Sequence, residues 1–172
     1  MNAAVKWVDD FLEQTDGKIV LICVHKEICN QLQKRYKKTC VLVDGSVTGA
    51  LRKKAVRNFQ NNPRKRVFIG NIKAAGVGIT LTAAHSLAFI EMSWTPGEHT
   101  QAEDRIHRIG QKNAASIYYL IAKGTIEEDL CKVITKKQEN VSKALNGQMT
   151  EDDLDVYGIM EKSLLRKRKE EK

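Results

Sequence analysis

Short apolar runs alternate with amphipathic segments along most of the chain. Between residues 2 and 14 the apolar positions recur at helical spacing, which predicts a helix. Residues 19–24 form a continuous apolar and mostly β-branched run, a pattern typical of a strand buried on both faces. A helix followed by a buried strand is the pattern that the rest of the sequence repeats.

The remaining elements follow from the same alternation. Strands are predicted over residues 40–43, 67–69, 87–90 and 116–122. Helices are predicted over residues 25–38, 48–60 and 125–145, the last with Thr125 as its N-cap. Because strands separated by helices need crossover connections, the pattern predicts an α/β fold with three layers, in which helices flank a mostly parallel sheet.

The loops that follow the strands are the places where chemistry is expected. Sheets of this kind bind ligands beyond the carboxyl ends of their strands. In this sequence that rule directs attention to residues 44–48, 70–80 and 91–101.

The loop after the third strand is rich in small residues. Gly76 and Gly78, with two neighbouring alanines, allow backbone N–H groups to approach a large anion, and Thr80 adds a hydroxyl donor. A tight turn explains the same residues without any ligand. A dinucleotide-binding fingerprint is excluded, because Leu81 stands where its third glycine is needed.

Residues 101–111 carry a dense polar pattern. Placed on a helix, Gln101, Arg105 and Arg108 share one face at positions i, i+4 and i+7. Two guanidinium groups one turn apart would form a rigid clamp for phosphate oxygens. The alternative is that these arginines are solvated or pair with acidic neighbours such as Asp104.

The same predicted helix has an apolar face beside the polar one. Ala102, Ile106 and Ile109 follow the same spacing, and we expect them to pack the helix against the sheet. His107 has no partner at the spacing of a catalytic triad or a metal site, so it is assigned no catalytic role.

Two further loops have features suited to nucleic acid. Trp94 follows the fourth strand and precedes a Pro-Gly turn, where an exposed ring could stack on or wedge against nucleic acid. Packing beneath the loop is the alternative. After the second strand, the N–H groups around Gly45 and Ser46 and the Ser46 hydroxyl could hold a backbone phosphate. A plain turn before a helix explains these two residues equally well.

Composition narrows the function classes. The chain has 172 residues and a formal net charge of +8, which allows a polyanionic partner without identifying one. Its four cysteines form no CxxC pair, so we expect reduced thiols rather than a zinc or thioredoxin-like site. No apolar run is long enough to cross a membrane. Neither a triphosphate-binding G-x-x-x-x-G-K-[ST] loop nor an acidic pair for magnesium is present, so we expect no metal site.

The order of the motifs resembles a known family. Residues 2–147 resemble the second RecA-like lobe, the helicase C-terminal domain, of Swi/Snf-type ATPases. Residues 43–46 look like motif IVa of that family, residues 75–84 like motif V, and residues 101–111 like motif VI. The Trp-Thr-Pro-Gly stretch after Ser93 is similar to that of the annealing-helicase branch and its bacterial and phage relatives.

The resemblance implies a role for each motif. Arg105 and Arg108 would act as arginine fingers that reach the γ-phosphate of ATP bound on a first lobe. The same cleft would be lined by Gln101, Gly76 and Gly78. The phosphate backbone of DNA would be held by Gly45, Ser46, Lys73, Thr80 and Trp94.

The resemblance also implies partners for this lobe. ATP and its Mg²⁺ would be held by a first RecA-like lobe, so the chain alone is expected to be inactive, monomeric and able to bind double-stranded DNA. No membrane contact is expected. The protein is expected inside the cell, in the nucleus if it is eukaryotic and in the cytoplasm if it is encoded by a bacterium or a phage. Residues 148–172 match no motif of the family and are expected to form a tail.

Two other functions stay open at this point. The chain could be a nucleic-acid-binding module that has lost its motor half, although the polar face of residues 101–108 argues against that. It could also be a small-molecule nucleotide enzyme on a Rossmann-like sheet, although the glycine fingerprint and an acid/base pair are absent.

Overall fold

The computed structural model describes residues 1–75, 78–111, 113–125, 127–132 and 134–136. In this part of the chain, helices and strands mostly alternate, as the sequence predicts. Their order is α1 (Asn2–Gln14), β1 (Ile19–Cys23), α2 (Lys26–Arg35), β2 (Cys40–Val43), α3 (Gly49–Asn61), β3 (Val67–Asn71), α4 (Ile72–Ala75), β4 (Ser86–Phe89), α5 (Pro96–Glu103) and β5 (Ser116–Tyr119).

The strands form one parallel sheet of five strands in the order β2-β3-β1-β4-β5. The central strand β1 pairs with β3 and with β4, so that Ile19 lies opposite Val67 on one side and Ser86 on the other. The outer strands join in the same register, with Cys40 opposite Val67 and Ser116 opposite Ser86. The carboxyl ends of the strands therefore lie along one edge, which confirms the predicted α/β sheet flanked by helices.

Two apolar clusters cover the two faces of the sheet. Val20 of β1 belongs to the cluster that includes Phe59 of α3 and Ala102 of α5. Leu21, the next residue, belongs to the cluster that includes Leu32 of α2 and side chains of α1. Because successive strand residues point to opposite faces, both of which are covered, every residue of β1 is buried. Burial on both faces explains why residues 19–23 form a continuous apolar run.

Apart from the helix predicted over residues 101–111, three elements have a boundary that differs from the predicted one by two residues or more. The helix α2 ends at Arg35 rather than at residue 38, since the N–H groups of Thr39 and Cys40 both bond to the Tyr36 carbonyl and turn the chain into β2. The strand β5 ends at Tyr119 rather than at residue 122, and β3 extends to Asn71. The short helix α4 has no counterpart in the prediction.

The chain divides into two compact units. The first comprises Met1–Ser93 and Gly97–Leu120 and holds the whole sheet. The second comprises Trp94–Pro96 and the chain from Ile121 onward. Within the described part of the chain, no helix is both long and apolar enough to span a bilayer.

The second unit begins its helical segment as the sequence predicts. Residues 127–132 and 134–136 are helical. The N–H of Glu127 donates to Thr125 Oγ1 at 3.3 Å, and the Glu128 carboxylate accepts from the N–H of Gly124 at 3.1 Å. Thr125 is thus the N-cap, which confirms that prediction. The predicted continuation to residue 145 and the predicted tail at 148–172 lie outside the described residues.

Candidate functional site

The carboxyl ends of the central strand β1 and its neighbour β4 are held together by one carboxylate. Glu91, just after β4, accepts hydrogen bonds from the backbone N–H groups of Val24 at 3.0 Å and His25 at 2.9 Å. Its other oxygen lies 2.7 Å from His25 Nδ1. Two N–H groups that β1 leaves unpaired at its carboxyl end therefore find an acceptor from the neighbouring strand. This contact fixes the carboxyl ends of β1 and β4 relative to each other.

The end of β3 is fixed to β1 in a similar way. The Asn71 side-chain amide donates to the Val24 carbonyl at 2.6 Å, and its oxygen accepts from the N–H of Lys73 at 3.2 Å. The second bond starts the short helix α4, on which the Lys73 side chain is exposed. The structure thus places Lys73 at the carboxyl edge with its ammonium group available to solvent.

The turn after β2 is organised by a buried aspartate. The Asp44 carboxylate accepts from both the N–H of Ser46, at 2.9 Å, and the Ser46 hydroxyl. These bonds, chiefly the one from the hydroxyl, hold the pKa of Asp44 below its ordinary value, with a further contribution from the Lys26 ammonium 3.7 Å away. Both donors of Ser46 are therefore directed at Asp44, while Gly45 is exposed beside them.

The segment before β4 and the segment after α5 are joined by two hydrogen bonds. The N–H of Leu81 donates to the Arg105 carbonyl at 2.8 Å. The Arg108 guanidinium donates to Thr80 Oγ1 at 2.9 Å. Within the described residues Arg108 forms this bond, and not the ion pair with Asp104 that helical i, i+4 spacing would allow. The structure thus brings together two motifs that the sequence separates.

The prediction that residues 101–111 form one helix is wrong. The helix α5 ends at Glu103, and residues 104–110 are turns and bends. The reason lies in the carbonyl groups that a longer helix would use: that of Arg105 accepts from Leu81, and that of Ile106 accepts from the Gln111 side chain at 3.1 Å. Arg105 and Arg108 consequently do not lie one turn apart on a shared helical face.

The prediction that one face of this segment packs against the sheet is correct only in part. Ala102 and Ile106 are fully buried and belong to the cluster on this face of the sheet. Ile109, which was expected to pack beside them, is fully exposed. Once the helix ends, the 3.6-residue period no longer decides which way a side chain points. Arg108 is exposed and Arg105 is half-buried.

The glycine-rich loop is described only in part. Gly76 lies outside the described residues. Gly78 is exposed and has a positive φ of +58°, a backbone conformation that favours glycine. Gln101 is exposed on α5. In the described part of the chain no group of His, Cys, Asp or Glu side chains is arranged to hold a metal ion.

The loop after β4 is fixed by a buried histidine. His99 of α5 packs against the Phe89 ring with 4.6 Å between ring centroids. Its Nε2 atom lies 3.0 Å from the Ser93 carbonyl oxygen and 3.2 Å from the Ser93 nitrogen, and the Ser93 hydroxyl donates to Glu98. The residue that follows, Trp94, is half exposed, which favours a surface ring over packing beneath the loop.

Several residues of this edge were not identified from the sequence. Glu91 and Asp44 each follow a buried strand at its carboxyl end, and that position is the signal that could have singled them out. His99 carried no such signal. Gln111 connects the segment after α5 to the Ala84 carbonyl at 2.8 Å, a contact that sequence spacing cannot reveal.

Comparison with known proteins gives a family match over most of the sheet domain. The family described as "Helicase conserved C-terminal domain" matches residues 3–110. All the predicted site residues lie within this range.

Several curated proteins are similar to the chain. The mouse protein named "DNA annealing helicase and endonuclease ZRANB3" is 38% identical over 167 residues, which cover 92% of this chain and 16% of that protein. A SWI/SNF-related matrix-associated actin-dependent regulator of chromatin subfamily A-like protein 1 from Xenopus laevis is 34% identical, over 88% of this chain and 17% of that protein. An uncharacterized ATP-dependent helicase of Mycoplasma pneumoniae is 35% identical, over 84% of this chain and 14% of that protein.

A solved structure has a similar fold. The crystal structure of the C-terminal part of the Fun30 ATPase domain aligns with a TM-score of 0.69 and 26% identity, over 76% of this chain and 43% of that one. The chain spans only 14–17% of the length of the curated relatives described above.

Proposed function

The chain belongs to the helicase C-terminal domain family of Swi/Snf-type ATPases, and from that premise we propose that it is the second lobe of an ATP-dependent DNA translocase. In this role it supplies arginine side chains to ATP bound on a first RecA-like lobe. It also holds the phosphate backbone of double-stranded DNA.

The observation that carries the proposal is the bond between Arg108 and Thr80. It holds a guanidinium group at the surface, on a loop whose backbone is fixed by the Leu81 to Arg105 bond. The neighbouring Ile109 is fully exposed. A fixed cation beside an exposed apolar side chain is the composition expected of a surface that another domain covers.

Arginine groups supplied from a second lobe would accelerate phosphoryl transfer. The γ-phosphate oxygens gain negative charge as water attacks. In comparable enzymes, an arginine that stabilises this charge increases the rate of hydrolysis by about 10³–10⁵-fold. Arg108 and Arg105 are the groups we assign to this task. Gln101, Gly76 and Gly78 line the same cleft in this proposal, and the Mg²⁺ is held by the first lobe.

The DNA contacts in this proposal come from the carboxyl edge. Lys73 is exposed on α4, and Gly45 is exposed in the turn after β2. Separately, Trp94, which belongs to the second unit, is half exposed, and we assign its ring to contact with DNA as well. Ser46 contributes by holding the turn through Asp44, since both its donors are already engaged there. Contacts to phosphate rather than to bases make the grip independent of sequence.

Thr80 links the two parts of the mechanism. It stands in the segment proposed to grip DNA, and its hydroxyl accepts from the arginine proposed to reach ATP. A movement of Arg108 on ATP binding or hydrolysis would therefore change its hydrogen bond to Thr80 and so alter the position of the DNA-contacting segment.

The experiment is reconstitution of activity from two lobes. The 172-residue chain alone should hydrolyse no ATP, and DNA-stimulated turnover should appear when a first RecA-like lobe carrying the phosphate loop is joined to it. Turnover by the purified chain alone, or none after joining to a first lobe that binds ATP, would contradict the proposal.

A further inference from the structure

One stretch of the chain accounts for its whole net positive charge. Residues 45–90 contain no Asp or Glu and eight Lys or Arg residues. Those eight equal the formal net charge of +8, because the remaining 21 Lys and Arg residues match the 21 Asp and Glu residues in number. The excess positive charge of the protein is thus concentrated, and most of it lies on and just after α3.

The end of α3 forms an open groove of about 670 Å³ within this stretch. It is lined by Lys54, Arg57, Asn58, Asn61, Asn62 and Pro63. The first four occur at i, i+3, i+4 and i+7, so they form one helical face. Lys54, Arg57 and Asn61 are exposed, and the ion pairs in the described part of the chain include neither of the two cations.

The negative end of the α3 dipole, which would repel an anion here, is neutralised by a lysine from another element. The Lys18 ammonium donates to the Phe59 carbonyl, to the Gln60 carbonyl at 3.3 Å and to the Asn62 carbonyl at 3.0 Å. The carbonyls of Phe59 and Gln60 belong to the last turn of α3, where a helix leaves its carbonyls without an intrahelical partner. The Asn62 carbonyl, just after the helix, also accepts from the N–H of Lys65 at 3.0 Å. The amides are also set in place, since the Asn62 side chain donates to Asn58 Oδ1 at 3.1 Å.

The groove lies at the opposite edge of the sheet from the loops after β2 and β3 that are proposed to hold DNA. The helix α3 starts after the carboxyl end of β2 and ends before the start of β3, so its last turn lies at the amino edge of the parallel sheet. Gly45, Ser46 and Lys73, which are proposed to hold the tracked DNA, follow the carboxyl ends of β2 and β3. The segment that carries Thr80 is nearer to the groove, since Gln60 in the last turn of α3 accepts from the N–H of Ala83 at 2.7 Å. A ligand in the groove is therefore a different one, or a different part of a long one.

We propose that this groove, lined by Lys54, Arg57, Asn58, Asn61 and Asn62, is a second binding surface for the phosphate backbone of duplex nucleic acid. It goes beyond the proposed function, which places DNA only at the carboxyl edge. The face from Lys54 to Asn61 is roughly 10 Å long at about 1.5 Å per residue. A duplex carries one charge about every 1.7 Å of its axis, so such a face spans several phosphates.

The composition of the lining favours a duplex over a single strand or an apolar protein surface. Among the groove residues there is no aromatic side chain on which the bases of a single strand could stack. Apart from Pro63, the residues that line it are cationic or amide-bearing, whereas the core of a protein interface is enriched in aromatic and apolar groups. Cations together with amide donors are the groups that contact phosphate oxygens in protein–DNA complexes.

The test measures duplex binding of the whole chain by fluorescence anisotropy at several salt concentrations. The groove variant is Lys54→Glu with Arg57→Glu. The matched control is Lys34→Glu with Lys37→Glu, which changes net charge equally at exposed positions on α2 and just after it, on the other face of the sheet. Circular dichroism checks folding, and if the reversed charges prevent it, Lys54→Gln with Arg57→Gln takes their place.

The groove variant is expected to bind the duplex about tenfold more weakly than the control, with a salt slope smaller by about 2, one unit for each cation lost. Lys54→Arg with Arg57→Lys should bind like wild type. A groove variant that matches the control overturns the inference. A Lys73→Ala variant measures the grip at the carboxyl edge separately, so a failure of the proposed function there is distinguishable from a failure of the groove.

A competition experiment separates nucleic acid from an acidic protein partner. Unlabelled duplex should displace labelled duplex from the wild-type chain more effectively than poly-glutamate does, when the two competitors are compared at equal concentrations of negative charge. If poly-glutamate competes equally well, the groove recognises carboxylates as readily as phosphates, and the assignment to nucleic acid is overturned.

Discussion

The guanidinium of Arg108 donates a hydrogen bond of 2.9 Å to the hydroxyl of Thr80. The two residues are 28 positions apart, and each belongs to a segment that resembles a different motif of the family. The bond gives the exposed arginine a defined direction, because a side chain as long as arginine would otherwise sample many rotamers.

Removal of the Thr80 hydroxyl should therefore slow ATP turnover without abolishing it. In the complete two-lobed protein, we expect Thr80→Val to lower turnover about three- to tenfold. A loss of this size corresponds to the free energy of about one hydrogen bond. The matched control is Thr39→Val, which removes a hydroxyl that bonds to the Tyr36 carbonyl at 3.3 Å, near the amino edge. Equal losses in the two variants, measured by phosphate release, would show that the Arg108 contact has no part in catalysis.

The end of α5 at Glu103 can be tested by the stability of two variants. Ile106 is fully buried, so Ile106→Ala should lower the free energy of unfolding by about 2–5 kcal/mol. Ile109 is fully exposed, so Ile109→Ala should change it by less than about 0.5 kcal/mol. Urea denaturation of both variants gives the comparison. Similar costs at the two positions would favour a continuous helix with both side chains in the core.

The Asp44 carboxylate should make stability depend on pH in the acid range. Its pKa is lowered below 3.8 in the folded protein, first by the Ser46 hydroxyl, so its contribution is present above that pH and is lost as pH falls through the native pKa. The difference in unfolding free energy between wild type and Asp44→Asn should shrink as pH falls from 7 to 3. Ser46→Ala should lose less stability than wild type over the same acid range, because its Asp44 pKa lies nearer to the ordinary value. A difference that stays constant over this range would contradict the assignment.

Glu91 is expected to stabilise the protein by holding the carboxyl ends of β1 and β4 together. In Glu91→Ala the N–H groups of Val24 and His25 lose their acceptor, and we expect a cost of about 1–3 kcal/mol in unfolding free energy. Glu27→Ala, at an exposed position on α2, should cost less than about 0.5 kcal/mol. Chemical denaturation compares the two. If Glu91→Ala is no more costly than the control, water replaces the carboxylate at these N–H groups.

The fold was largely predictable because burial on both faces leaves an unambiguous pattern. The five strand segments stand out as apolar runs, and the helices between them impose crossovers and hence a parallel sheet. The prediction failed where tertiary contacts decide the backbone. Nothing in the pattern of residues 101–111 shows that Leu81 and Gln111 take the carbonyls that would extend α5.

The sequence was enough to name candidate site residues by their chemical type, but not the contacts that those residues make. The charges of Arg108 and Lys73 and the ring of Trp94 are visible in the sequence, and the structure places all three at least partly exposed. The bond from Arg108 to Thr80 depends on how the chain folds between them. Ser46 shows the opposite case, since its donors serve Asp44 and not a phosphate in this structure.

ATP turnover of an Arg108→Ala variant in the complete two-lobed protein tests the central claim most directly. We expect turnover at saturating ATP and DNA to fall by about 10³-fold or more, while the affinity for duplex DNA stays within about twofold of wild type. Arg108→Lys should also be slow, because an ammonium group lacks the planar fork of the guanidinium. Normal turnover with impaired DNA binding would contradict the proposed role in phosphoryl transfer and leave Arg108 as a DNA contact only.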